Sequence, residues 1–315
     1  MSKTSEYWRR RYAFMNTLGK RTDGQISAFA KQVYRNTFEG IKKEIEAFYG
    51  RYALNNDISL SDVRKLLDPA ELKAAKKEIA RYYAAIDNLL KEAETEATAE
   101  VLQKYKKQLR LQSAKAYMSR LEDLKARLRD YVIRLGTAED KAFTDVLQDS
   151  CKYTYEKSSD ILSEYMGFTN APSENQLKKI LNSRWLGENY SGRVWENKRL
   201  LENSLEKTFL QGVIRGQNPR EIATEMQKDM GGAYYRCERL ARTETIHMLN
   251  EAALQTYKDY GVKQYEFIVS EDERTCEICG SLDGEVFDIN EKMEGINYPV
   301  MHPNCRCSTV PYFVE

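Results

Sequence analysis

Apolar residues recur every three or four positions through roughly the first 260 residues, which is the spacing of one face of an α-helix. Three stretches show this spacing clearly, at residues 34–48, 79–90 and 117–135. Lys, Glu and Arg fill most of the other positions, as expected for helices with one solvated face. Gly136 follows the third stretch and predicts the C-terminal end of that helix. The pattern therefore predicts a mainly α-helical protein built from long, charged, amphipathic helices.

Three helix starts are marked by side chains that can accept hydrogen bonds from the free backbone N–H groups of a first turn. Ser59 and Ser173 are each followed, three residues later, by a side chain that can complete a capping box. Asn218 precedes Pro219 at the first helical position, a typical helix start. The segment 165–173 contains glycine, asparagine and proline, and predicts a boundary after an N-terminal helical region at residues 1–170.

The residue pattern changes after Gly261. Residues 264–269 alternate apolar and polar side chains and predict a β-strand, and residues 285–287 and 308–312 are further strand candidates. Asp283-Gly284 predicts a turn of the hairpin kind. We therefore expect a helical part at residues 171–262 and a small β-rich module at residues 263–315. A module of about fifty residues has a thin core and commonly needs a metal ion or disulfides to fold.

The 315 residues have a net charge of +1, which argues against a strongly basic nucleic-acid coat. No run of about 18 apolar residues occurs, so we expect no membrane-spanning segment. Residues 1–20 lack the apolar core of a signal peptide, so we expect the chain to stay in the cytoplasm. Its six cysteines should then be reduced thiols rather than disulfides.

Four of the six cysteines lie in the last forty residues, and such clustering of reduced cysteines favours a metal site. Cys276 and Cys279 form a Cys-x-x-Cys pair, and His302, Cys305 and Cys307 form a second group. We predict one structural zinc ion held by both members of the pair and by Cys305. Either His302 or Cys307 supplies the fourth ligand, and the sequence does not choose between them. Zinc binding of this kind contributes on the order of 10 kcal/mol to folding.

A catalytic zinc ion is an alternative. Such an ion would need an open coordination position for water and a nearby general base. Asp272 or Glu273 would be that base in a metal-dependent hydrolase or nuclease. We favour a closed site, since four or five protein ligands are available. Arg274 fits an ion pair with a neighbouring carboxylate better than a phosphate contact. Arg306 is expected to offset thiolate charge.

Other residues with chemical potential have more ordinary roles in this interpretation. Arg242 and Glu244 predict a buried ion pair that ties their helix to the tail. His247 is expected to make a structural hydrogen bond, and Cys151 and Cys237 to be small core residues. The cluster Trp8-Arg9-Arg10-Arg11 could contact nucleic acid, although a solvated helix start is the favoured reading.

Several motifs follow one another in a fixed order over about residues 173–312. They are Arg184-Trp-Leu-Gly187, Tyr190-Ser-Gly-Arg-Val-Trp195, Gly212-Val-Ile-Arg-Gly216, the cap at Asn218, Ala241-Arg-Thr-Glu244, Asn250, Asp272-Glu-Arg-Thr-Cys276, Leu282-Asp-Gly284 and His302-Pro-Asn-Cys-Arg-Cys307. This series resembles the MuF-like head-morphogenesis, or minor head, proteins of tailed bacteriophages. One departure is Tyr298-Pro-Val-Met301, where many relatives have two prolines.

The resemblance implies a minor capsid protein that associates with the portal protein and other head proteins during prohead assembly. It implies location in the host cytoplasm and then in the virion, with an influence on DNA packaging or ejection. It also implies a structural protein rather than an enzyme. DNA is a weaker candidate partner, and self-association of the helices is left open. The alternatives are a nucleic-acid-binding zinc module and a metal-dependent hydrolase or nuclease.

Overall fold

The computed structural model describes residues 4–55, 57–270 and 275–313. The chain divides into two compact units, both assembled from separated segments. Unit 1 comprises Met1–Ala28, Phe143–Tyr190 and Glu238–Glu315, and unit 2 comprises Phe29–Ala142 and Ser191–Cys237. The three consecutive regions expected from the sequence, at 1–170, 171–262 and 263–315, stay a prediction.

Helices dominate the described residues, which confirms the predicted fold class. They are α1 (Ser5–Tyr12), α2 (Phe14–Tyr52), α3 (Leu60–Arg64), α4 (Pro69–Glu92), α5 (Glu96–Ala114), α6 (Arg120–Met166), α7 (Glu174–Leu181), α8 (Tyr190–Ile214), α9 (Pro219–Asp259) and α10 (Glu277–Gly280). None of these described helices has the length and apolar character that crossing a membrane requires.

A small antiparallel sheet lies at the C-terminal end of the chain and belongs to unit 1. Its strands are β1 (Gln264–Ile268), β2 (Val286–Asp288) and β3 (Ser308–Tyr312), in the order β2-β1-β3. The central strand pairs with both neighbours, so that Gln264 lies opposite Asp288 on one side and Tyr312 on the other. The predicted C-terminal sheet is therefore confirmed, with each strand within one residue of its expected position.

The predicted helix starts are formed by the hydrogen bonds that the sequence suggested. Ser59 and Ser173 each complete a capping box. The Asn218 side chain accepts hydrogen bonds from the N–H groups of Arg220 at 2.9 Å and Glu221 at 3.1 Å. Such contacts involve residues only two or three positions apart, which is why the sequence is sufficient to find them.

The predicted helix end at Gly136 is wrong, because α6 continues without a break to Met166. The glycine serves close packing within unit 2. A Cβ atom at this position would lie 2.5 Å from Cζ3 of Trp195 and 3.0 Å from Cγ of Lys198. Both distances are shorter than ordinary van der Waals contact. Gly136 therefore allows α8 to approach α6 closely, and the cost of glycine within a helix is accepted there.

Unit 2 combines an apolar core with buried polar groups. Ile79 and Ile86 of α4 pack against Leu102, Tyr105 and Leu109 of α5. A second buried group joins α2, α6 and α8. Its members are Tyr34, Glu139 and Lys198, and the lysine Nζ lies 2.6 Å from a glutamate oxygen that also accepts a hydrogen bond from the tyrosine at 2.9 Å.

Unit 1 has an aromatic core built from distant parts of the chain. Trp8 of α1 is 1% exposed, and its ring lies 5.3 Å from that of Tyr165 and 5.2 Å from that of Phe313. Tyr257 of α9 and Tyr265 of β1 belong to the same cluster. The N-terminal helix is therefore part of the core that supports the C-terminal sheet.

The remaining residues of the predicted aromatic–basic cluster make ion pairs inside unit 1. Arg9 bonds to the buried Glu266 of β1 at 2.7 Å and to Asp283 at 3.3 Å. Arg10 pairs with Glu6, and Arg11 with Glu164. The solvated helix start favoured from the sequence is thus wrong for Trp8 and Arg9. A nucleic-acid contact at this cluster also loses its support, because its cations already have carboxylate partners.

Candidate metal centre

The first two cysteines of the tail lie at the two ends of a single helical turn. Cys276 caps the short helix α10, and its Sγ accepts a hydrogen bond from the N–H of Cys279 at 3.4 Å. This backbone hydrogen bond is the main cause that lowers the pKa of Cys276. A lowered pKa favours the thiolate, which is the form of cysteine that binds metal ions.

The second group of candidate ligands lies in the loop before β3, and α9 holds that loop in place. Asn304 has a left-handed backbone conformation, with φ of 66°, which asparagine tolerates better than most residues. Its N–H donates to Oγ1 of Thr243 at 3.1 Å, and its side-chain oxygen accepts a hydrogen bond from Arg242 at 2.9 Å. Asn250 donates to the carbonyl oxygen of Cys307 at 3.1 Å.

The five candidate ligands form two overlapping groups of donor atoms. Nε2 of His302 lies 3.3 Å from Sγ of Cys276 and 3.4 Å from Sγ of Cys279. The donor atoms of these three residues all lie within 4.8 Å of one another, and so do those of Cys279, Cys305 and Cys307. In a tetrahedral zinc site, a nitrogen and a sulfur ligand are about 3.6 Å apart. The cluster could therefore hold a metal ion, and Cys279 belongs to both groups.

A small cavity of about 20 Å³ lies among these side chains and is lined by all five of them. A space of that size is enough for one ion or one water molecule. Cys279, Cys305 and Cys307 are buried, and Trp185 and Phe267 pack against the cluster. The buried apolar neighbours lower the local dielectric constant and strengthen any interaction between the thiolates and a cation.

The surroundings shift the pKa values of several of these groups. A hydrogen bond with Cys307 is the largest cause that lowers the pKa of Cys305. Burial raises the pKa of Cys279 to about 12, so that its thiolate needs a cation for stabilisation. Burial opposes protonation of His302, but its hydrogen bond with the Pro303 carbonyl and the nearby thiols raise its pKa overall. Metal binding would replace these shared protons, since thiolates and a neutral imidazole are the ligating forms.

Arg242 and Glu244 have different partners from those expected. Arg242 forms an ion pair with Asp23 at 3.1 Å and reaches the tail through Asn304. The fully buried carboxylate of Glu244 accepts hydrogen bonds from the indole N–H of Trp185, at 3.2 Å to the nearer oxygen. The expected connection between α9 and the tail is present. Arg242 makes it by donating a hydrogen bond to Asn304, not by an ion pair with Glu244.

His247 is buried, and its Nε2 lies 3.1 Å from the Ser183 hydroxyl, consistent with the structural role expected for it. Its ring also lies near the carboxylates of Glu251 and Glu294, and the three donor atoms fall within 4.8 Å of one another. The ammonium group of Lys292 contacts both carboxylates. We therefore interpret this group as an ion-pair network. The sequence did not suggest it, because the acidic residue at 294 comes from a distant turn.

Asp272 and Glu273, the candidate bases of a hydrolase, and Arg274 lie outside the described residues. Their expected roles therefore stay predictions. Cys151 and Cys237 are buried away from the cluster, as expected of small core residues.

Part of the chain that includes this centre is similar to known proteins. Residues 203–310 match the family model described as Phage Mu protein F like protein. The matched segment begins in α8, ends in β3 and contains all five candidate ligands. An uncharacterized protein of Haemophilus influenzae strain Rd is 26% identical over 110 residues, which are 35% of this chain and 24% of that protein. This chain thus matches about a quarter of that relative's length. No solved structure matches this chain.

Proposed function

We propose, from the premise that residues 203–310 belong to the phage Mu protein F-like family, that this chain is a minor head protein of a tailed bacteriophage. The match over residues 203–310 confirms the resemblance found in the motifs and supports a role in head morphogenesis. The finer parts of the proposal are association with the portal protein and with other head proteins during prohead assembly in the host cytoplasm. Retention in the virion and an influence on DNA packaging or ejection complete it.

The observation that carries this proposal is the content of the matched segment. It joins α9, the small sheet and the cysteine cluster, which together form one hydrogen-bonded arrangement within unit 1. We propose that this arrangement is structural rather than enzymatic. The number of available protein ligands supports that view, because three cysteines and one histidine would complete a tetrahedron and leave no position for a reactive water.

Co-expression with the portal protein of the same phage tests the assembly role. We expect the wild-type chain to co-purify with the portal oligomer and to co-sediment with proheads. Cys276→Ser, which disturbs the candidate centre, should weaken both associations, whereas Cys237→Ser serves as a matched cysteine control outside it. If the wild-type chain occurred in neither portal complexes nor proheads, the proposed function would be wrong.

The proposal includes one structural zinc ion, held by Cys276, Cys279, Cys305 and His302. The histidine is favoured as the fourth ligand because its Nε2 is already close to two thiols, at 3.3 and 3.4 Å. Cys307 would then remain a neighbouring thiol that supports Cys305 by hydrogen bonding. The soft thiolate ligands favour zinc over magnesium or calcium, which prefer oxygen ligands.

Metal analysis of purified variants tests this ligand set. We expect about one zinc ion per chain in the wild type and in Cys307→Ser, and a loss of the ion in Cys276→Ser and His302→Ala. The opposite outcome, with zinc kept in His302→Ala and lost in Cys307→Ser, would give the fourth position to Cys307. A wild-type chain that is fully folded and free of metal would contradict the zinc proposal altogether.

A further inference from the structure

The net charge of the chain is close to zero, but the net charges of its two units differ strongly. Unit 2 contains 31 Lys and Arg against 24 Asp and Glu, a net charge of +7. Unit 1 contains 18 Lys and Arg against 24 Asp and Glu, a net charge of −6. The total of +1 therefore says little about the surfaces that a partner would meet, since local charge decides how charged molecules approach.

The positive charge of unit 2 includes an exposed basic face on α4 and α5, which pack together as a helical hairpin. Lys73, Lys77, Lys104, Lys107 and Arg110 are exposed and lie opposite the buried rows of these helices. Within the described part of the chain, none of these five cations has an ion-pair partner. We call these five residues the basic face.

Exposed carboxylates in unit 1 provide the complementary charge. Glu277 lies on α10, Glu285 immediately before β2 and Glu291 just after it. All three are exposed, and none is ion-paired with any residue that the structure describes. By contrast, Glu266 and Asp283 of the same region are paired with Arg9. Because β2 is an edge strand, Glu285 and Glu291 flank an open edge of the sheet. We call these three glutamates the acidic edge.

We propose that the basic face of one copy of this chain binds the acidic edge of a second copy. Every copy carries both surfaces, so a second copy always presents the charge that each surface lacks. The two surfaces differ, and the interface is therefore of the head-to-tail kind, which closes into rings or extends into filaments. The charged groups are exposed, so the attraction should weaken strongly as salt screens it. This inference does not rest on the proposed role in the phage head.

Sedimentation of the purified full-length chain tests the proposal directly. We expect species larger than a monomer at about 50 mM NaCl and mainly monomer at about 500 mM, where the screening length is much shorter. The apparent dissociation constant should rise at least about tenfold between these conditions.

Charge reversal identifies the surfaces involved. The variant Lys77→Glu, Lys107→Glu, Arg110→Glu should be monomeric at low salt, and so should Glu277→Lys, Glu285→Lys, Glu291→Lys. An equimolar mixture of the two variants should associate again, because each reversed surface then meets its reversed complement. The variant Lys157→Glu, Lys178→Glu, Lys179→Glu changes three exposed lysines elsewhere and should behave like the wild type.

Three outcomes would overturn the proposal. The first is a wild-type chain that stays monomeric at low salt, and the second is a mixture of the two reversed variants that stays monomeric. The third is a wild-type monomer that binds duplex DNA through the basic face. Loss of DNA binding in the variant Lys77→Glu, Lys107→Glu, Arg110→Glu would show this. That result would assign the same cations to nucleic acid rather than to a second copy.

Discussion

The α4–α5 hairpin of unit 2 is built from neighbouring stretches of sequence, whereas the three-stranded sheet of unit 1 takes its core from both ends of the chain. In the hairpin, each helix contributes one row of apolar side chains, and three residues connect the helices. The sheet itself contributes the fully buried side chains of Tyr265, Phe267 and Val310. It depends on Trp8, on residues of α9 and on the cysteine cluster.

The difference teaches that the two regions should respond to different perturbations. The hairpin core also includes Ile133 and Trp195, but none of the candidate metal ligands, so we expect it to be insensitive to metal. A sheet of thirteen residues in three strands cannot bury enough surface alone, so loss of any external support should affect it strongly. Four substitutions can test this contrast, and they are ordered here by expected effect.

The largest effect is expected from Cys276→Ser. If the centre holds zinc, the variant loses a binding free energy on the order of 10 kcal/mol, and the sheet should lose its stable structure. Hydrogen exchange should show loss of protection at β1 and β3, while α4 and α5 keep theirs. Cys237→Ser is the control and should leave the metal content unchanged. Equal protection of β1 and β3 in the wild type and in Cys276→Ser would remove the metal from the comparison.

Trp8→Ala should destabilise the sheet side without any change in metal ligands. The indole ring is buried among aromatic residues, and its removal should lower the free energy of unfolding by about 3–5 kcal/mol. Denaturant titration measures this loss, and hydrogen exchange should locate it in unit 1. Arg10→Ala, an exposed position two residues away, should change stability by less than about 0.5 kcal/mol. A small effect of Trp8→Ala would mean that the sheet does not need the N-terminal helix.

Lys198→Met tests the buried polar group of unit 2. The variant leaves the Glu139 carboxylate buried without its cation, and we expect a loss of about 3–5 kcal/mol. Thermal or denaturant unfolding measures it. Adding Glu139→Leu should recover much of the loss, because the uncompensated charge is then removed as well. Failure of the double variant to recover would show that packing, rather than charge, dominates at this position.

Gly136→Ala should have the smallest effect of the four. A methyl group at this position would collide with the Trp195 ring, so we expect a loss of about 1–3 kcal/mol. Gly231→Ala is a suitable control, because nothing lies within 4 Å of a Cβ atom there. An alanine usually stabilises a helix relative to glycine. A stabilising Gly136→Ala would therefore contradict the close contact between α6 and α8.

The sequence predicts the elements of this protein better than their partners. Helices, caps and short strands depend on residues a few positions apart, and the caps at Ser59 and Asn218 are formed as expected. The prediction of a helix end at Gly136 was wrong, because a glycine is needed there to make room for the indole ring of Trp195, fifty-nine positions away. The burial of Trp8 depends on Phe313, at the other end of the chain. Nothing local to either residue indicates such contacts.

The candidate site shows the same division. Spacing alone indicated that Cys276, Cys279, His302, Cys305 and Cys307 belong together, and the structure brings their donor atoms into two groups that share Cys279. The sequence could not show how the ligand loop is held, because Arg242 and Asn250 lie on a helix more than fifty residues earlier. It also could not rank the histidine against Cys307, since both follow the Cys-x-x-Cys pair at similar distances along the chain.

The packing of α1 against the sheet has a consequence for the order of events during translation. Trp8 is synthesised long before Phe313 and β3, against which unit 1 completes its core. The nascent N-terminal helix must therefore wait with its indole exposed, while unit 2 already has most of its segments available. Unit 1 can close only after β3 has been synthesised, so a chain interrupted before Ser308 would leave α1 without the strand that covers it.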